Sequence, residues 1–222
     1  YKYIIFNRFS NPSIERNRGW HIRKKLNLKL MQNGAKKLLA YNKVKFFKTN
    51  LQGKCDSLSY NFDDKIIEMF NQPTIWTNEF QITADSLRIL VDQGNIRNMF
   101  LRPNPMIIGK VDSLDYNQIK GKKITAYFTD NEITKMNVKG NGQSIFIVKD
   151  DKTGDKIGLN YTECTNLVLY FKSNKLDAVN YEVKPNSITT PYNDVEEKIR
   201  YLKGFYWRGK EQPKCKEDIF IL

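Results

Sequence analysis

The side chains able to hold protons, metals or anions are unevenly spread along these 222 residues. His21 is the sole histidine, so a His-based triad or a multi-histidine metal site is excluded from this chain acting alone; packing beside Trp20 is its expected role. Cys55, Cys164 and Cys215 show no CxxC or other zinc spacing, and their odd number leaves at least one thiol unpaired. Adjacent acids fall in expected turns, Asp63 with Asp64 and Asp150 with Asp151, or on an expected helix surface, Glu196 with Glu197, where solvation accounts for them. The GNG of residues 140 to 142 lacks the strand-to-helix context of a phosphate cradle and reads as a turn. Asn160, Tyr161 and Thr162 form a glycosylation sequon, a motif short enough to arise by chance. These residues assemble no catalytic constellation, so a non-enzymatic protein without cofactor or metal is expected.

Cations are the remaining resource. The formal charge is +13, yet residues 1 to 50 hold thirteen Lys and Arg against the single acid Glu15, and the other 172 residues are nearly neutral. A block such as RKKLNLKL either steers the chain to phosphates or forms a solvated basic edge. Nucleic-acid binding would also need exposed stacking aromatics. Tyr60, Phe62, Phe128 and Phe171 share parity with Leu and Ile, which argues for an interior, so no nucleic-acid partner is expected.

The elements that would position these groups repeat. Three alternating apolar positions, a polar turn, an apolar residue and another three later recur five times. The copies are Leu26, Leu28, Leu30 with Ala35 and Leu38; Leu58, Tyr60, Phe62 with Ile67 and Phe70; Leu87, Ile89, Val91 with Ile96 and Met99; Ile124, Ala126, Phe128 with Ile133 and Met136; and Leu167, Leu169, Phe171 with Leu176 and Val179. Alternation of period two marks a strand with one buried face, and Asn, Asp and Gly supply the tight turn. Each copy therefore reads as strand, turn, strand. The change from spacing three to spacing two in the second strand, as in Met136 then Val138, predicts a bulge or corner. One such hairpin cannot bury its apolar face, whereas stacked hairpins bury a continuous one. An all-β stack of two sheets over a long apolar interior follows, although an ordinary β-sandwich with evenly spaced strands fits the same spacing.

Asn193 with Glu196 resembles a capping box, Val195, Ile199 and Leu202 share a helical face, and Gly204 suits a C-cap. A short helix over 194–203 is predicted, with residues 191–222 covering one end of the stack. No apolar run reaches the roughly 18 residues needed to cross a bilayer. The opening at Tyr1, without a signal pattern, reads as a processed or excised piece.

The phrases GKCDSLSYNFDDKIIEMFNQPTIW (53–76), ITADSLRILVDQGNIRNMFL (82–101) and NQIKGKKITAYFTDNEITKMNVKGNGQSIF (117–146) resemble the OstA-like domain family of lipopolysaccharide transport proteins, and KGFYWRGKEQPKCKEDIF (203–220) is similar to the end of one branch. The likeness spans about residues 20 to 220. It implies a β-jellyroll, or β-taco, over 21–190, with residues 1–20 an unplaced segment or an incomplete further repeat. It also implies an open-seamed trough for lipid A acyl chains, end-to-end pairing with like domains, and a place in the periplasm or on the periplasmic face of the outer membrane. The trough would be lined by Leu58, Tyr60, Phe62, Leu87, Ile89, Val91, Ile124, Phe128, Leu167, Leu169 and Phe171. Arg23, Lys24, Lys25 and Lys29 would form a rim for lipid phosphates. A structural or assembly module that pairs through its sheet edges without carrying lipid is the alternative.

Two smaller expectations concern register. Asp56 and Asp85 share parity with Leu58 and Leu87, so a fully regular strand would bury an unpaired carboxylate at a cost of several kcal/mol. Either the strand begins just after the acid or the acid sits at the mouth bonded to turn amides; Lys122 and Thr165 at the same place in the fourth and fifth copies favour the first. Cys55 and Cys164 occupy equivalent positions three copies apart, about 14 Å or more at ~4.8 Å per strand, beyond disulfide reach.

Overall fold

A computed structural model of the chain describes residues 4–6, 20–23, 26–30, 36–77, 80–130 and 132–220, with side chains from 37 onward to 219. The strands are β1 (Ile4–Phe6), β2 (Trp20–Arg23), β3 (Leu26–Leu30), β4 (Lys36–Ala40), β5 (Val44–Lys48), β6 (Leu51–Cys55), β7 (Ser57–Asn61), β8 (Ile66–Phe70), β9 (Thr74–Thr77) and β10 (Phe80–Thr83). They continue with β11 (Ser86–Asp92), β12 (Asn95–Arg102), β13 (Met106–Lys110), β14 (Tyr116–Lys120), β15 (Lys123–Thr129), β16 (Glu132–Lys149), β17 (Lys156–Lys172), β18 (Lys175–Glu182) and β19 (Asn186–Pro191). All pairings are antiparallel and resolve into two tiers.

The first tier runs β3, β4, β7, β8, β11, β12, β15, the first half of β16, the second half of β17, and β18. The second runs β1, β2, β5, β6, β9, β10, β13, β14, the second half of β16, the first half of β17, and β19. The chain lays one hairpin in the first tier, crosses, lays one in the second, and crosses back. β16 and β17 are long enough to serve both tiers, and their ladder breaks between Lys139 and Gly142, where they bend. Gly140, at φ +76°, supplies a left-handed residue at that bend. The result is an all-β, repeat-built β-jellyroll.

The five sequence copies are the five hairpins of the first tier. The spacing of three is a bulge: Val91 pairs with Ile96 but Leu90 with Asn98, leaving Arg97 unpaired, and Thr134 and Asp177 are skipped in the same way. The β7–β8 hairpin has no such skip. Met69 is consequently its inward residue, and Phe70, assigned inward from spacing alone, is 39% exposed.

Inward residues form rows across the first tier. Ala40, Leu58, Met69, Leu87, Leu101, Ile124, Val138 and Leu167 pair in succession and none exceeds 5% exposure. A fully buried Leu or Ile stabilises by roughly 1.5–3 kcal/mol, so each hairpin contributes a few such residues and only the stack makes a core. The facing row of the second tier is Gly53, Ile75, Ile82, Ile107 and Ile119, after which it turns polar at Ser144, Thr162 and Ser187. The Ser144 and Tyr181 hydroxyls bond at 3.1 Å, and those of Thr162 and Ser187 at 2.8 Å.

The segment after β19 differs from expectation. It carries short 3-10 turns at Tyr192–Asp194, Glu197–Ile199, Gly209–Glu211 and Lys216–Phe220, not a helix over 194–203. It crosses the outer face of the second tier as a strap. Val195 and Leu202 join Met106, Ile108, Ile145 and Leu159 in a second core there. The helical spacing of Val195, Ile199 and Leu202 is met by successive tight turns, because backbone groups that a helix would pair internally are taken by glutamines of the sheet below.

Candidate functional site

Both tiers join along one edge, where the chain crosses between them, and end in hairpin turns along the other. The first edge is a closed spine and the second an open seam. At the spine, the strands β7 and β11 do begin after the acid, at Ser57 and Ser86. The Asp56 N–H donates to the Phe70 carbonyl (3.3 Å) and the Asp85 N–H to that of Pro103 (3.0 Å). Both carboxylates are exposed and accept from Asn71 (3.4 Å) and Asn104 (2.8 Å), asparagines at φ +59° and +52°. The same crossing uses left-handed residues at Asn42, Asn141 and Lys184.

Exposure of the inward residues rises from spine to seam. Leu58, Leu87, Ile89, Ile124, Leu167 and Leu169 are packed core; Tyr60 and Phe171 sit just inside the buried range, and Phe62, Val91 and Phe128 at the hairpin tips are half-buried. Leu58, Leu87, Ile89, Val91, Ile124, Phe128, Leu167, Leu169 and Phe171 share one apolar core, Tyr60 and Phe62 pack on each other beside it, and of these eleven expected trough residues Phe171 lines the opening in the seam. Of the four basic residues expected at a rim, Arg23 lies on β2 and Lys29 on β3; their side chains, and Lys24 and Lys25 entirely, lie outside the described residues.

The opening is a cleft of about 140 Å³ in the seam, lined by Phe80, Ile107, Ile119, Phe146, Phe171 and Leu176, with Lys110, Lys175, Asn117 and Asn174 also on its wall. Phe80 and Phe171 meet across it edge to face. Lys110 and Lys175 are exposed and enter no ion pair among the described residues. An apolar slot with cations at its mouth suits an anionic amphiphile. Phe80, Ile107, Ile119 and Phe146 belong to the second tier, which the repeat as read from the first-tier hairpins passes over.

Cys55, Cys164 and Cys215 are all free, and the first two are not joined, in line with their separation in the register. Burial, with a smaller contribution from the Asp56 charge, pushes the Cys55 thiol up to about 12, so it stays protonated. Among the described residues no group of three or more His, Cys, Asp or Glu could hold a metal ion, and no helix is long and apolar enough to cross a membrane.

A cluster of charges around the buried Asp115 ties the strap down. Asp115, 2% exposed, accepts from Lys156 Nζ (2.6 Å), Arg200 Nη1 (2.6 Å) and the Tyr192 hydroxyl. Burial pushes its carboxyl up, but the hydrogen bonds from Lys156 and Tyr192 and the adjacent positive charges outweigh burial and hold it below the usual carboxylate range. Asp112 is driven far below that range by Lys156 and by the Leu114 and Asp115 amides. The second fastening is a ladder of glutamines. Gln118 Nε2 donates to the Arg200 carbonyl (2.7 Å) and its Oε1 accepts from the Leu202 N–H (2.8 Å). Gln81 does the same with Tyr206 and Arg208, and Gln52 accepts from Gln212.

No family model matches the chain. The crystal structure of LptH, "the LptA homologous periplasmic component of the conserved lipopolysaccharide transport device from Pseudomonas aeruginosa", is similar at 10% identity, covering 64% of this chain and 95% of that one, with a TM-score of 0.47. A stretch of 59 residues, 27% of the chain, is 54% identical to part of the tRNA pseudouridine synthase A of Pelagibacter ubique (strain HTCC1062). The match spans 23% of the length of that curated relative.

Proposed function

We propose that this chain is a non-enzymatic protein of the cell envelope that binds lipopolysaccharide by its lipid A acyl chains and assists its transport to, or assembly in, the outer membrane. The observation that carries this reading is the seam, where an apolar interior opens between Phe80 and Phe171 beneath Lys110 and Lys175. The OstA-like phrases of the sequence support it, and with them a periplasmic location. The cleft is smaller than the roughly 300–1,000 Å³ of ordinary ligand pockets. Acyl chains therefore enter by parting the two tiers at their tips, while Leu58, Leu87, Ile124 and Leu167 remain core. Burying about a dozen methylenes at ~0.8 kcal/mol each offers on the order of 10 kcal/mol gross for that opening. Phosphates of the lipid meet the seam lysines and the basic residues Arg23, Lys24, Lys25 and Lys29 at about 1 kcal/mol each.

The test is Phe171→Glu, which places a carboxylate on the wall of the cleft, at the seam end of the buried residues. Lipid A binding, followed by displacement of a fluorescent lipid, is expected to weaken at least tenfold while the far-ultraviolet spectrum stays β-like. Unchanged binding would sink the proposal.

A second reading is favoured by the edge strands. Among the described residues β18 and β19 each pair with β17 alone, and Ile188 is 57% exposed. A module that pairs with like domains through these edges, without carrying lipid, would yield protein oligomers free of lipid in native mass spectrometry after mild extraction; a carrier would retain it.

A further inference from the structure

We propose that a basic cleft on the closed spine, between the third and fourth hairpin copies, binds the phosphate of a sugar-sized ligand. The cleft measures about 640 Å³ and is lined by Arg102 and Asn104 from one crossing and by Lys120, Lys122, Lys123 and Asn141 from the next. It lies on the edge opposite the seam and does not depend on acyl chains entering the interior.

The repeat itself makes this crossing unusual. The second and third copies place Asp56 and Asp85 at the corner, each accepting from a left-handed asparagine. In the fourth copy Lys122 occupies that position, and its N–H keeps the corner bond, donating to the Gly140 carbonyl at 2.8 Å. The backbone is conserved within the repeat while the charge is reversed, so the fold does not require the lysine. Asn141, the counterpart of Asn104, is thereby left with no side-chain hydrogen bond among the described residues. The Lys122 stem lies over Gly140, where a Cβ would meet it at 3.0–3.3 Å, which fixes the direction in which its ammonium leaves the backbone.

Arg102, Lys122 and Lys123 are exposed and form no ion pair among the described residues, while Lys120 Nζ donates to the Lys203 carbonyl at 2.6 Å. The nearest acids are engaged elsewhere, Asp85 by Asn104 and Glu163 by Gln143 and Tyr161. Four cations and a free amide converging on one space match a phosphate, whose several acceptor oxygens and double charge can engage them together. The volume exceeds that of phosphate alone and lies within the ordinary range for small ligands, which points to a phosphate borne on a group of sugar size. A soluble sugar phosphate and a phosphorylated lipid headgroup share this chemistry.

The experiment titrates glucose 1-phosphate into the full chain and follows the Gly121, Lys122, Gly140 and Asn141 amides by NMR. A parallel arm measures co-sedimentation with phosphatidylcholine vesicles containing phosphatidic acid. The variants are Lys122→Asp, which restores the acid of the earlier copies, and Lys123→Gln, which guards against a folding defect in the first. The expected result is a saturable shift of these amides that weakens about tenfold or more in Lys122→Asp and about fivefold in Lys123→Gln, each declining with added salt. Vesicle binding lost in step with Lys122 identifies a headgroup as the source, and a Lys122-dependent amide shift with vesicle binding indifferent to Lys122 identifies the soluble ligand. Absence of both the shift and any Lys122-dependent vesicle binding, or equal affinity in wild type and both variants, overturns the proposal.

Discussion

The rings of Phe80 and Phe171 stand edge to face, their centroids 5.9 Å apart and their planes at 87°, and they come from opposite tiers of the jellyroll. Such a pair is worth about 0.5–1.5 kcal/mol beyond its buried area. A contact of that size is small beside the burial of an acyl chain, so on the proposed lipid-binding reading the pair would yield as a chain enters.

Opening at this pair predicts a distance change. With Cys215→Ser as background, nitroxides at Ser173→Cys and Leu114→Cys label turns on the two sides of the seam. Pulsed electron resonance is expected to show the label distance lengthening when lipid A is added. An unchanged distribution at saturating lipid would show that binding does not part the tiers.

Depth within the trough separates ligand contacts from core. A substitution such as Leu169→Glu, attractive from the sequence as a binding test, lands at a fully buried position between Met136 and Val179. An ionised carboxylate there would cost several kcal/mol and unfold the stack. Circular dichroism of Leu169→Glu should lose its β signal where Phe171→Glu retains it.

Asp115→Ala is expected to destabilise by about 3 kcal/mol, since it leaves Lys156 and Arg200 partly buried without their shared carboxylate. Urea unfolding should register this, with a fall in Tm of about 6–12 °C. The folded pKa values of Asp112 and Asp115 lie below those of the unfolded chain, so their contribution is complete above about pH 4 and is lost as pH falls through the folded values. Wild-type stability should therefore drop more steeply below pH 4 than that of Asp115→Ala.

Gln118→Leu removes a donor to the Arg200 carbonyl and an acceptor for the buried Leu202 N–H. Leaving that N–H unpaired costs about 1–3 kcal/mol. Hydrogen exchange of Leu202 is expected to accelerate, with faster proteolysis of the strap, while β11 and β12 keep their protection.

Iodoacetamide at pH 8 should label one thiol per native chain, Cys215, and all three after denaturation, because Cys55 and Cys164 are buried and burial raises the pKa of both. Rapid native labelling of Cys55 would contradict its place beneath the spine.

The sequence by itself determined the first tier. Period-two alternation marks the inward face of each hairpin, the three-residue spacing marks the bulges at Arg97, Thr134 and Asp177 but misplaces Phe70 where β8 has none, and an acid in parity with Leu58 or Leu87 favours a strand that starts after it. These are local consequences of strand geometry and of the cost of burying a charge. The glutamine ladder was also present in the sequence, since Gln52, Gln81 and Gln118 recur at 29 and 37 residues, the steps of the hairpin copies, but a polar residue on a strand reads as solvent-facing until something covers it. Only the tertiary structure decided that a strap covers them, that Val195 and Leu202 pack on a sheet face and not within a helix, and that Phe80 meets Phe171 across a seam. A sequence separation of 91 for that pair, and of 82 for Gln118 and Arg200, puts these contacts beyond any local pattern: they exist because two tiers and a returning strap must each bury an apolar face, and long-range packing chooses which residues meet.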